Sequence, residues 1–152
     1  MKTHRVTVID GPLAPGMRQA VNMEPQLVTA PEHMSVLHEL MQREPLFHRR
    51  ELGTTRKDFE KMTDASFWEV GASGRRYSRE FVLNGLEQKY QNATEDVWEI
   101  GDFHCLEIAA NNYLVTYTLI QGESVTRRAT IWRRAANEWQ ILYHQGTLVA
   151  QG

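Results

Sequence analysis

The order of local patterns along this chain predicts an α+β domain, with three helices packed on one face of a curved, mostly antiparallel sheet. Two observations carry the prediction. Apolar residues recur at helical spacing only between Pro31 and Tyr90, whereas the chain from Val97 to Val149 reads as strand and turn. Helices followed by a run of strands segregate the two kinds of element, which is the signature of this class. A length of 152 residues supplies one sizeable core and is too short for two comfortable ones.

Residues 1–30 are expected to form an N-terminal extension, and residues 31–152 the domain itself. Within the extension, the β-branched alternation from His4 to Ile9 predicts a short strand, and Asp10 to Gly16 is breaker chemistry. Such an arm lies over the domain or pairs with another chain. Pro31 suits a first helical turn, with Glu32 favourable near the helix N-terminus. Met34, Leu37, Leu40 and Met41 continue at helical spacing towards Glu44. Pro45 interrupts that helix, Leu46 and Phe47 resume its apolar stripe, and Gly53 ends the segment. Thr55, with Asp58 three residues on, is a capping-box pattern for a short second helix from Arg56 to about Met62.

Residues 67–71 are aromatic and β-branched, so they predict a strand. Residues 72–75 form a hairpin turn, and Arg76 and Tyr77 a brief partner strand. Ser78 is an N-cap for a third helix, whose apolar side carries Phe81, Val82, Leu86 and Tyr90. Four long strands then follow as a meander, over residues 97–108, 113–121, about 124–134 and 139–149. Turns rich in Asn, Gly and Ala separate them.

Composition narrows the functional classes. The chain is 41% hydrophobic and 24% charged, ordinary values for a soluble globular domain. A net charge of −2 argues against nucleic acid as a partner. The adjacent arginine pairs, such as Arg127–Arg128 and Arg133–Arg134, do not alter this, because neighbours in a strand point to opposite faces. Cys105 is the single cysteine and reads as a small core residue. The six histidines show no metal-ligand spacing, so neither metal nor cofactor is expected. The N-terminal apolar stretch is broken by Thr7, Asp10, Gly11 and Pro12, and no stretch has the length of a membrane span. A cytoplasmic location is the expectation.

Four segments resemble a known family: ELGTT at 51–55, FWEVGASGR at 67–75, IWRR at 131–134 and WQILYHQGT at 139–147. Over roughly residues 32–149 the chain is similar to the nuclear-transport-factor-two-like superfamily, shared with ketosteroid isomerases, scytalone dehydratase and SnoaL-like polyketide cyclases. The likeness is greatest to its small bacterial members of unknown function. The resemblance implies a cone-shaped, cystatin-like roll with an apolar pocket between the helices and the concave sheet face. No catalytic set carries over. Ketosteroid isomerases use an aspartate base with a tyrosine and a protonated aspartate as donors, and that trio does not align here.

The residues themselves offer candidates. Asp102 and His104 share strand parity with Trp98, Ile100, Leu106 and Ile108, so a regular strand puts a carboxylate beside an imidazole on the pocket wall. A bulge would instead turn Phe103 inward. Tyr117 is the matching donor. His144 lines the pocket or is a satisfied core histidine, and it shares parity with Leu142 while Trp139, Ile141 and Tyr143 share the other. Glu69, between Trp68 and Val70, is a buried acid or the ion-pair partner of Arg128. Trp98 and Trp132 are walls for a flat ligand or simply core. Aromatic residues at both strand parities predict a homodimer that buries one sheet face. The function expected is binding of a small apolar molecule, with acid–base isomerase, dehydratase or cyclase chemistry. The alternative is a non-catalytic dimeric interaction module.

Overall fold

A computed structural model describes residues 23–92 and 97–150. The predicted strand at 4–9 lies outside the described residues. A 3-10 turn at Pro31–His33 leads into helix α1, Met34–Met41. Residues 42–49 turn the chain through a cis Glu44–Pro45 bond, and a second 3-10 turn, Arg50–Leu52, ends at Gly53 with φ of 136°. Helix α2 is Arg56–Met62. It is followed by β1, Thr63–Val70, then β2, Arg76–Ser78, and α3, Arg79–Gln91. The meander is β3 (Glu99–Ala109), β4 (Asn112–Gln121), β5 (Ser124–Ala135) and β6 (Glu138–Leu148).

The local signals read from sequence have physical counterparts. The Thr55 side chain accepts from the Asp58 N–H, while Asp58 accepts from the Thr55 N–H at 3.0 Å, closing the capping box of α2. Ser78 Oγ accepts from the Phe81 N–H at 3.2 Å and caps α3. The turns take left-handed backbone at Asn111, Gly122 and Asn137. The first helix stops short of Glu44, because proline disfavours helical backbone in the residue before it.

The six strands run β2–β1–β6–β5–β4–β3, with only the β1–β6 pairing parallel. One face is covered by the helices. There Leu37 and Leu40 of α1 and Val82 of α3 join Phe67, Val115, Tyr117, Trp132 and Ile141 of the sheet in one core.

Two bulges decide which side chains face that core. In β3, Asp102 and Phe103 together oppose Tyr117, since Gly101 pairs with Thr118 and His104 with Thr116. Asp102 takes φ of 57° at the bulge. Ile100 is buried before it and Cys105 after it, so the inward parity switches and Phe103 stacks on Tyr117 with ring centroids 5.0 Å apart. In β6, Leu142 is the extra residue, because Ile131 pairs with Tyr143 and Trp132 with Ile141. This puts His144 on the inner face with Trp139 and Ile141. The parity expected for a regular strand is therefore corrected in both places.

The opposite face is not covered by a described helix. Strand register sets Leu106, Leu114, Ile131, Tyr143 and Trp68 in a row across five strands, and none belongs to the core under the helices. The Trp68 and Tyr143 rings lie 4.8 Å apart, and Leu106 is 49% exposed.

Candidate functional site

A cavity of about 300 Å³ opens between α3 and the inner face of the sheet. Its walls are apolar: Leu46 and Phe47 from the loop after α1, Tyr77 from β2, and Phe81, Val82 and Leu86 from α3. Its polar side chains are Glu69 on β1, His144 on β6 and Arg128 on β5, with His48 and Lys89 opposite them. Register explains the convergence on the sheet. Glu69 pairs with His144 and with Tyr77, while Thr130 pairs with His144 and Arg128 with Gly146, so neighbouring strands present one cluster.

Arg128 is held flat against its neighbour strand. A Cβ on Gly146 would come within 2.9 Å of the guanidinium carbon, so the glycine is what admits it. Its Nε donates to Thr126 Oγ1 at 2.9 Å, and Nη1 lies 3.5 Å from His144 Nε2. His144 is buried, and burial together with the charges of Arg128 and His48 pulls it down to about 3, so it is neutral. Arginine only donates, which assigns Nε2 as acceptor and puts the imidazole proton on Nδ1, 2.8 Å from Thr130 Oγ1.

The Thr130 hydroxyl in turn interacts with Glu44. This side chain is fully buried, takes the Tyr117 hydroxyl at 2.6 Å on one oxygen, and takes the Trp132 indole N–H at 3.0 Å on the other. Burial raises its carboxyl above the ordinary range, and the hydrogen bonds from Tyr117, Thr130 and Trp132 oppose that rise. Polar contacts thus join Arg128, His144 and Thr130, and Thr130 in turn acts on the Glu44 carboxyl.

Glu69 differs. Among the described residues it has no hydrogen-bond or ion-pair partner, and burial raises its carboxyl against the lowering effect of the Arg128 charge. A carboxyl raised in this way and facing a cavity is a candidate acid–base group.

Comparison with solved structures places this architecture. A cystatin-like protein from Caulobacter vibrioides superposes with a TM-score of 0.59 at 14% identity, covering 78% of this chain and 91% of that one. A cystatin-like fold protein from Burkholderia xenovorans gives 0.58 at 11% identity, over 80% and 95% of the two chains. An NTF2-like protein from Cytophaga hutchinsonii gives 0.57 at 9% identity, over 79% and 100%. The chain has the NTF2-like, cystatin-like fold. No protein-family model matches the sequence, and no curated protein matches it.

Within the NTF2-like fold the sequence candidates separate. Glu69, Arg128 and His144 meet at the cavity. Asp102 and His104 do not: the β3 bulge turns both away from it. Asp102 accepts there from Thr118 Oγ1 at 2.8 Å and lies 3.3 Å from Arg127. Tyr117 does not reach the cavity, because its hydroxyl is spent on Glu44. Trp98 and Trp132 are core rather than cavity wall. Glu44, Thr130 and Gly146 were not singled out by sequence reasoning. A signal existed for Glu44, which continues the Leu37, Leu40 and Met41 spacing and therefore faces inward despite its charge. Among the described residues no group of three metal-ligating side chains occurs, and no helix is long and apolar enough to cross a membrane.

Proposed function

We propose that this protein binds a small, largely apolar molecule in the cavity beneath α3, and that Glu69 serves acid–base chemistry of the isomerase, dehydratase or cyclase type. One observation supports the reading above the others: polar side chains from three strands, Glu69, Arg128 and His144, converge on empty volume inside apolar walls. Glu69 is the proton-transfer group in this reading, and Arg128 stabilises negative charge that develops on the ligand. A thermal-shift screen against hydrophobic small molecules tests binding, since a ligand specific for the native state raises the melting temperature. Incubating a hit with the protein, followed by mass spectrometry and NMR for an isomerised or dehydrated product, tests the chemistry. A flat response across a broad library sinks the binding reading and leaves the non-catalytic interaction module.

A homodimer is the second part of the proposal, and the apolar row on the uncovered sheet face favours it. Two copies packed through Leu106, Leu114, Ile131, Tyr143 and Trp68 would remove that row from water. Light scattering is expected to give twice the chain mass of 17.6 kDa, and Ile131→Lys, at the centre of the row, to return the protein to the single-chain mass. A wild-type mass of one chain contradicts the dimer.

A further inference from the structure

We propose that the cavity is built for the carboxylate of a small organic acid, with Arg128 as the group that grips it and the walls beneath α3 taking its apolar body. This rests on the binding reading above and names the ligand class for the same cavity.

The case begins with the four arginines of β5. Arg127 is paired with Asp102 and Glu24, Arg133 with Asp64, and Arg134 with Glu39. Arg128 differs from all three. Among the described residues its partners are a hydroxyl and a neutral imidazole, and no carboxylate is paired with it. A half-buried guanidinium without a salt-bridged carboxylate is costly, and a carboxylate from a ligand would offset that cost.

The surroundings hold this cation in place without a salt bridge. Gly146 gives it room to lie against β6, and Thr126 fixes Nε. Neutral His144 accepts from Nη1 without supplying charge. Glu69 shares the cavity but makes no ion pair with Arg128. A planar carboxylate matches the guanidinium fork in two parallel hydrogen bonds, which a neutral alcohol or a cation cannot do. At about 300 Å³ the space holds a ligand on the order of ten non-hydrogen atoms, taking each as roughly the volume of one liquid water or less.

The test uses the full chain and matched probes. Hexanoate, cyclohexylacetate, 3-phenylpropionate and 1-naphthylacetate are each titrated calorimetrically beside the alcohol and the primary amine of the same tail. At least one acid is expected to bind about tenfold or more tightly than its alcohol, with its amine weaker still. Arg128→Gln is expected to abolish that preference, so that acid and alcohol of the same tail bind alike. Gly146→Ala gives an independent check. Its new Cβ meets only the far end of a flexible side chain, so it displaces the guanidinium without removing the charge, and the acid should again lose its advantage. If alcohols or amines bind as tightly as the acids, the carboxylate assignment is overturned and the binding pocket stands. If nothing in the series binds, the carboxylate assignment also falls, and the broad thermal-shift screen then judges the pocket separately.

Discussion

Glu44 is a buried acid and Glu69 a half-buried one on the helix-covered side of one sheet, and the protein accommodates them in opposite ways. Glu44 is enclosed: Tyr117, Trp132 and Thr130 direct hydrogen-bonding groups at its carboxyl, and Arg49 Nε donates to its backbone carbonyl at 2.8 Å. Glu69 faces empty volume and has no such partners among the described residues. An enclosed acid ties elements together. Here it links the loop after α1 to β4 and β5, and through Thr130 it orients His144. An acid left facing a cavity stabilises little and remains free to meet a ligand.

The contrast is broken most directly at Glu44. Glu44→Ala leaves the Tyr117 hydroxyl and the Trp132 N–H without their acceptor in a packed interior, and is expected to cost about 3–5 kcal/mol in urea unfolding. Glu69→Gln loses no hydrogen bond, so its effect on stability should stay within about 1 kcal/mol in either direction. Equal losses at the two positions would show that they do not differ in kind.

Acid sharpens the same contrast through His144. Its folded value near 3 lies below the ordinary 6.5, so the unfolded chain binds the proton first as pH falls. The neutral imidazole therefore carries no penalty above pH 6.5, and stability declines between 6.5 and about 3, by about 1.4 kcal/mol per pH unit at the steepest. Glu44 and Glu69 work in the other direction. Their carboxyls are raised on folding, so their contribution is fully present below the ordinary glutamate value and is lost as pH rises above it. Unfolding curves of wild type and His144→Gln across this range should converge in slope above pH 6.5 and diverge below it. Parallel curves throughout would contradict a buried neutral His144.

The smallest effect is expected on the outer face. Asp102 has left-handed backbone that glycine accepts freely, its ion pair with Arg127 is exposed, and its hydrogen bond from Thr118 is part-buried. Asp102→Gly should cost about 1 kcal/mol or less, and combined with His104→Ala it should leave the affinity for a cavity ligand unchanged. A loss of about tenfold in that affinity would return the pair to the site.

What the chain determines by itself lies in contacts a few residues long. The Thr55–Asp58 box, the Ser78 cap, the turns at Asn111 and Gly122 and the stop before Pro45 each depend on neighbours in sequence, and each is legible there. The order of helices and strands follows from these signals, and with it the α+β class. The site lies on the other side of that divide. Asp102 and His104 look inward to anyone assuming an even strand, and one extra residue opposite Tyr117 turns them out. One extra residue at Leu142 likewise brings His144 in beside Arg128 and Glu69. A bulge is chosen by the strand across from it and leaves no local mark. Glu44 finds its donors 73 and 88 residues away, so only the assembled sheet makes that acid a buried hub. Short-range chemistry sets which elements form. Long-range pairing sets which side chains meet, because the facing of every strand residue depends on a register that two distant segments must agree on.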